Sequence, residues 1–94
     1  MGYKAAKAKV LAALNSGAFD HEARDDINVK NLLSTGDISA ADVAKLIAKS
    51  SGYEHTESPH HSQKLVTVHC IITQKWYIKF YFLDPDTTFI SVHQ

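Results

Sequence analysis

Apolar residues recur at helical spacing through the first half of the chain and at every second position through the last third. That change of period divides the chain into a helical part, residues 3–52, and a sheet part, residues 64–93. In YKAAKAKVLAALNSG, Val10, Leu11 and Leu14 share one helical face, and Gly17 stands where a left-handed residue ends a helix. DHEARDDINVKNLL, from Asp20 to Leu33, predicts a second helix with Asp20 as N-cap, an acidic first turn, and Ile27 with Leu32 or Leu33 turned inward. The third helix, SAADVAKLIAKSSG, is framed by Ser39 with Asp42, a variant of the capping box, and by Gly52; Val43, Leu46 and Ile47 share its apolar face. YEHTESPHHSQ has no period and reads as a loop over residues 53–63.

KLVTVHCII, WYIKFYFL and TFISVH then alternate with period two and predict three strands of an antiparallel meander. A three-residue connection, Thr73 to Lys75, pairs Ile72 with Trp76, Cys70 with Ile78, Val68 with Phe80 and Val66 with Phe82, an unbroken apolar face; a one-residue slip would move every side chain of a strand to the other face. Ile90 and Val92 of the last strand join that face. The opposite face then carries Tyr77, Lys79 and Tyr81, set against Ile71, His69 and Thr67, with Ser91 and His93 alongside. The expected architecture is α+β, with three N-terminal helices packed on a three-stranded antiparallel sheet.

Composition narrows the picture. A chain of 94 residues, 45% hydrophobic, has room for one core, so residues 1–94 are one domain. Lys plus Arg and Asp plus Glu both number 10, so the total charge announces no polyelectrolyte partner. Six histidines make the charge sensitive to pH near neutrality. Cys70 is the sole cysteine, which excludes an internal disulfide and fits a reducing compartment. No apolar run reaches membrane-spanning length and MGYKAAKAKV lacks the features of a signal peptide, so a cytoplasmic protein with no membrane partner is expected.

An amphipathic sheet ordinarily has one wet face, and tyrosine, lysine and histidine are common on it. The order aromatic, cation, aromatic at Tyr77, Lys79 and Tyr81 adds stacking platforms for bases around a phosphate-binding charge. Histidines beside them supply groups that titrate near neutrality. His55, His60, His61, His69 and Cys70 do not reproduce a known zinc spacing, so no metal and no cofactor are expected.

The order of helix, glycine, second helix ending in LLSTGDIS, third helix, GYEHTESPHH, WYIKFYFLD and FISVHQ resembles the MqsR branch of the RelE-like toxins of bacterial toxin–antitoxin systems. The positions that carry the resemblance are Tyr77, Ile78 and Lys79, then Ile90, Ser91, Val92, His93 and Gln94. It implies a RelE-like α+β fold, metal-independent cleavage of single-stranded mRNA, and a cognate antitoxin protein as partner. The chain departs from the family at Glu54, His55 and Thr56, where a lysine-serine-methionine stretch is usual. It departs again at Leu65 and Val66, which stand in place of a tryptophan-glutamine-aspartate stretch. Only Tyr77 and Lys79 carry over as catalytic positions.

From the residues themselves, RNA cleavage needs a base for the ribose 2′-hydroxyl, a cation for the phosphorane and an acid for the leaving 5′-oxygen. Lys79 is the cation, His61 and His69 the expected proton-transfer pair, and Tyr77 a further donor or a stacking ring. His60, Tyr81, Ser91 and His93 are expected to bind substrate, with His60 or His61 reaching the open face near His69 and Lys79. The alternative is a non-catalytic binding module of RelE-like fold, an antitoxin, immunity or regulatory protein. One version would place the third helix in a DNA groove, but that helix offers Lys45 and Lys49 and no arginine, asparagine or glutamine to read bases. Another uses the tyrosine and histidine face as a protein interface.

Overall fold

A computed structural model describes residues 1–94. The alanine-rich opening forms α1 (Tyr3–Ser16), which buries Ala6, Val10, Ala13 and Leu14 and stops at Gly17, where φ is 77°. After a two-residue strand β1 (Asp20–His21) come two single-turn helices, α2 (Ile27–Lys30) and α3 (Leu32–Thr35). Helix α4 (Ala40–Ala48) starts at Ser39, whose hydroxyl accepts the Asp42 N–H as the capping pattern requires, and buries Val43, Ala44 and Ile47. It ends at Lys49, and Gly52 instead begins a 3-10 turn (Gly52–Glu54). Helices α1 and α4 are tied end to end. The Tyr3 hydroxyl donates to the Ser50 carbonyl at 2.6 Å and Lys7 Nζ donates to the Ala48 carbonyl at 2.9 Å, so two side chains of α1 satisfy carbonyls that α4 leaves open at its C-terminus.

The predicted second helix is not continuous. Asp20 and His21 pair in parallel with Thr88 and Phe89 of the last strand, and Phe19 packs edge-on against Phe89 at 5.5 Å, so the segment's start is held by the sheet. The break between α2 and α3 falls at Asn31, which is fully buried. Its side-chain oxygen accepts the Ser34 N–H at 3.1 Å and its amide meets His21 Nδ1 at 2.9 Å. An asparagine that bonds backbone and histidine at once starts a new helix instead of extending the old one.

The sheet has five strands in the order β1-β5-β4-β3-β2, with β2 (His55–Pro59), β3 (Thr67–Thr73), β4 (Trp76–Leu83) and β5 (Asp86–His93) antiparallel and β1 parallel to β5. It is therefore a mixed five-stranded sheet, not a three-stranded antiparallel one. Half of the expected loop over residues 53–63 is the edge strand β2, whose polar residues HTESP pair with Thr67 to Ile71.

The β3–β4 register also differs from the expectation. Thr73 pairs with Trp76, Ile71 with Ile78, Cys70 with Lys79 and His69 with Phe80, across a two-residue turn. Gln74 and Lys75 in that turn have φ of 51° and 69°, both in the left-handed region that hairpin turns of the primed type use. The faces of β4 are as read from the sequence, and those of β3 are reversed. Ile71 and His69 face the helices, while Val68, Cys70 and Ile72 share the open face with Tyr81, Lys79 and Tyr77.

The helix-covered face holds a core of Val10, Leu14, Leu33, Ile38, Val43, Ala44, Ile47, Ile71, Ile78, Phe80, Phe89 and Val92. Trp76 and Phe82 pack partly buried against it. No helix is long and apolar enough to cross a membrane.

Candidate functional site

Between β4 and β5 the register shifts, so that Lys79 pairs with Ser91 and Phe80 with Phe89, and Ile90 has no partner. A bulge of this kind re-aims the side chains next to it. Val92 remains in the core, but Ile90 lines the open face beside Ser91, a correction to its expected inward place. The freed Ile90 carbonyl accepts from Arg24 Nη1 at 3.3 Å, and the same nitrogen donates to Ser91 Oγ at 2.9 Å. Arg24 thus fastens the segment after β1 over the bulge, and the two together wall a groove of about 720 Å³.

The groove is lined by Arg24, Lys30, His61, Tyr77, Lys79, Ser91 and His93, and by the carboxylates of Glu22, Asp25 and Asp26. Three fixed cations and three carboxylates are balanced in number, and pairing decides which of them stay open. Asp26 chelates Arg24 through Nε at 2.5 Å and Nη2 at 3.3 Å, and the guanidinium holds the Asp26 carboxyl below its usual range. Glu22 is occupied by His60 Nε2, at 3.1 and 3.3 Å from its two oxygens. Lys30 and Lys79 make no ion pair, so the groove keeps two free ammonium groups, set against the carboxylates of Glu22 and Asp25. An anion entering there meets two ammonium groups that no carboxylate already holds, in a groove that is, like the chain as a whole, balanced in charge.

Tyr77 stacks on His93 with ring centroids 5.2 Å apart and planes 19° from parallel. Burial, with the neighbouring Cys70 thiol, pushes the Tyr77 phenol up, so it stays protonated and is a donor, never a base, at neutral pH. Tyr81 is pushed up as well, by burial and then by the charge of Glu22. His61 is exposed and stacks on His60 at 4.4 Å.

Of the residues expected at the site, the fold brings His61, Tyr77, Lys79, Ser91 and His93 into one groove. His60 lies beside it and only 5% exposed, edge-on to Tyr81 at 5.3 Å. Its Nδ1 accepts the N–H groups of Ser62 and Gln63, both at 3.2 Å, so the ring carries its proton on Nε2, toward Glu22. It is a latch for the turn over residues 60–66 and presents no free nitrogen to a substrate.

His69 is the correction. It is 2% exposed on the helix-covered face, stacked on Phe80 at 5.6 Å, and its pairing with Phe80 in place of Lys79 follows from the two-residue turn. His61 and His69 are on opposite faces of the sheet and cannot act on one phosphate. Arg24 and Lys30 were missing from the sequence reading. Arg24 is the chain's sole arginine, and that was the signal available for it.

Two trios bring metal-ligand atoms within 4.8 Å of one another, Glu22 with His60 and His61, and His55 with Glu57 and His69. The fold and groove define a small α+β domain with a half-open sheet face that presents two unpaired ammonium groups. No family model, curated protein or solved structure matches the chain.

Proposed function

We propose that the open face is the active site of a metal-independent endoribonuclease. On this reading the chain is a RelE-like toxin of the MqsR branch, cytoplasmic, cutting single-stranded mRNA and restrained by a cognate antitoxin. The observation that carries the reading is the unpaired Lys79 ammonium beside Tyr77 in a groove that also holds His61 and His93. Lys79 and Lys30 hold the scissile phosphate and take up the charge of the phosphorane. His61, exposed and free to turn, removes the 2′-hydroxyl proton. The 2′-oxygen attacks phosphorus, and the 5′-oxygen leaves with a proton supplied by Tyr77 or by protonated His93. The products are a 2′,3′-cyclic phosphate and a 5′-hydroxyl. The stacked pair Tyr77 and His93 offers a flat surface for a base beside the phosphate.

The rival reading, a non-catalytic binding module, is favoured by the large apolar side chains left in solvent, Tyr53, Leu65 and Ile72. Expression in a bacterial host separates the two. A ribonuclease toxin arrests growth and Lys79→Ala relieves the arrest. Arrest that Lys79→Ala leaves untouched, or no arrest at all, favours the interface.

A further inference from the structure

We infer that His55, Glu57 and His69 form a binding site for a divalent transition-metal ion of the zinc type, joining the edge strand β2 to β3 on the helix-covered face of the sheet. Glu57 is directly cross-strand from His69, and His55 lies two residues along on the same face of β2. His55 Nε2 and His69 Nδ1 stand 3.0 Å apart, and their rings are stacked 20° from parallel. Two imidazole nitrogens on one tetrahedral zinc, each at about 2.0–2.1 Å, are about 3.3 Å apart, so an opening of a few tenths of an ångström admits the ion. A Glu57 carboxylate oxygen is within 4.8 Å of a ring nitrogen of each histidine, and the Glu57 side chain is exposed. Two histidines and a glutamate with one position left for water are a donor set that suits zinc and its neighbours.

The surroundings fit the same ion. Tyr3 lies 5.6 Å from the His55 ring, and Phe80 and Phe82 lie 5.6 and 5.4 Å from His69, so an apolar shell limits water and fixes the rings. Strand β2 has need of a clip: Thr56, Glu57, Ser58 and Pro59 are exposed and bring no apolar side chain to the core.

The other trio is excluded by its wiring. Ligation through His60 Nε2 would need that nitrogen bare while Nδ1 still accepts two backbone N–H groups, which makes the ring an imidazolate.

The site is on the opposite face from the groove and stands whether or not the chain cleaves RNA. Its test is calorimetric titration of the full, metal-stripped chain with Zn2+, together with Co2+ binding read by visible absorption and thermal melts of each protein. The expected result is one equivalent bound, a four-coordinate Co2+ spectrum and a raised melting temperature. Ligand loss should cost at least what loss of a supporting residue costs, so affinity falls by about 10-fold or more in both His55→Asn and Glu57→Gln. Both positions lie on an exposed edge strand, and far-ultraviolet circular dichroism confirms their folding. His61→Asn binds as the parent does. No saturable uptake by the folded parent, or uptake lost in His61→Asn and kept in His55→Asn, overturns the proposal.

Discussion

Two trios of two histidines and a glutamate stand on opposite faces of one sheet, and they differ in where the ring nitrogens are spent. In Glu22, His60 and His61, backbone N–H groups saturate one nitrogen of His60 and the carboxylate takes the other, so His60 is structural and only the exposed His61 is free for proton transfer. In His55, Glu57 and His69 the two imidazoles spend a nitrogen on each other, with a carboxylate alongside. On the two proposals, similar composition serves proton transfer on the open face and ligand chemistry on the covered one. What separates them is hydrogen-bond wiring, which the spacing of histidines along the chain does not express.

Substitutions can break or sharpen that contrast. The largest effect is expected for Lys79→Ala, which removes the unpaired charge of the open groove and should lower RNA cleavage by about 10²–10³-fold, the usual consequence of losing a group that stabilises developing charge. Its lysine faces water, so the melting temperature should hardly move. His61→Ala should lower turnover by about 10²-fold, whereas His55→Ala should leave it unchanged. Equal losses from the two histidines would mean that the faces do not divide the chemistry.

The frame beneath the groove is tested by Asn31→Ala. It removes the cap of α3 and the partner of His21 together, so urea unfolding should show a loss of about 2 kcal/mol.

The covered face should also govern acid sensitivity. Burial holds both His69 and His21 below the ordinary histidine range, so the unfolded chain takes up protons before the folded one does as pH falls. Stability present above about pH 6.5 is then progressively lost below it. Melting in EDTA should be lower at pH 5 than at pH 7.5, with the slope reduced in His69→Leu. The smallest effect concerns the turn that decides the faces. Lys75→Gly relieves a left-handed φ at a non-glycine residue and should stabilise the protein by about 1 kcal/mol. A loss of stability there would argue for the three-residue connection after all.

Much of this was legible in the sequence where a single period ruled. Helices α1 and α4 and strand β4 carry one face each, and Tyr77, Lys79 and Tyr81 fell on the open side as alternation requires. Strand β3 was misread because it has apolar residues on both faces, Val68, Cys70 and Ile72 on one and Ile71 on the other. Alternation then could not choose a register, and the turn that chose it uses Gln74 and Lys75 where asparagine and glycine would have announced it. Strand β1 depends on parallel pairing with residues far along the chain, and β2 is a polar edge, so neither has a local signature. Arg24 reaches the groove only because the bulge at Ile90 frees a carbonyl for it, a tertiary event with no trace in spacing.

The most direct measurement of the open-face chemistry compares two oligonucleotides of one sequence, single-stranded RNA and its 2′-deoxy counterpart, incubated with the purified protein in EDTA and analysed by mass spectrometry. The account predicts RNA fragments ending in 2′,3′-cyclic phosphate, an intact deoxy strand, and no fragments with Lys79→Ala. An uncut RNA, cleavage that EDTA abolishes, or equal cutting by the Lys79→Ala protein would contradict it.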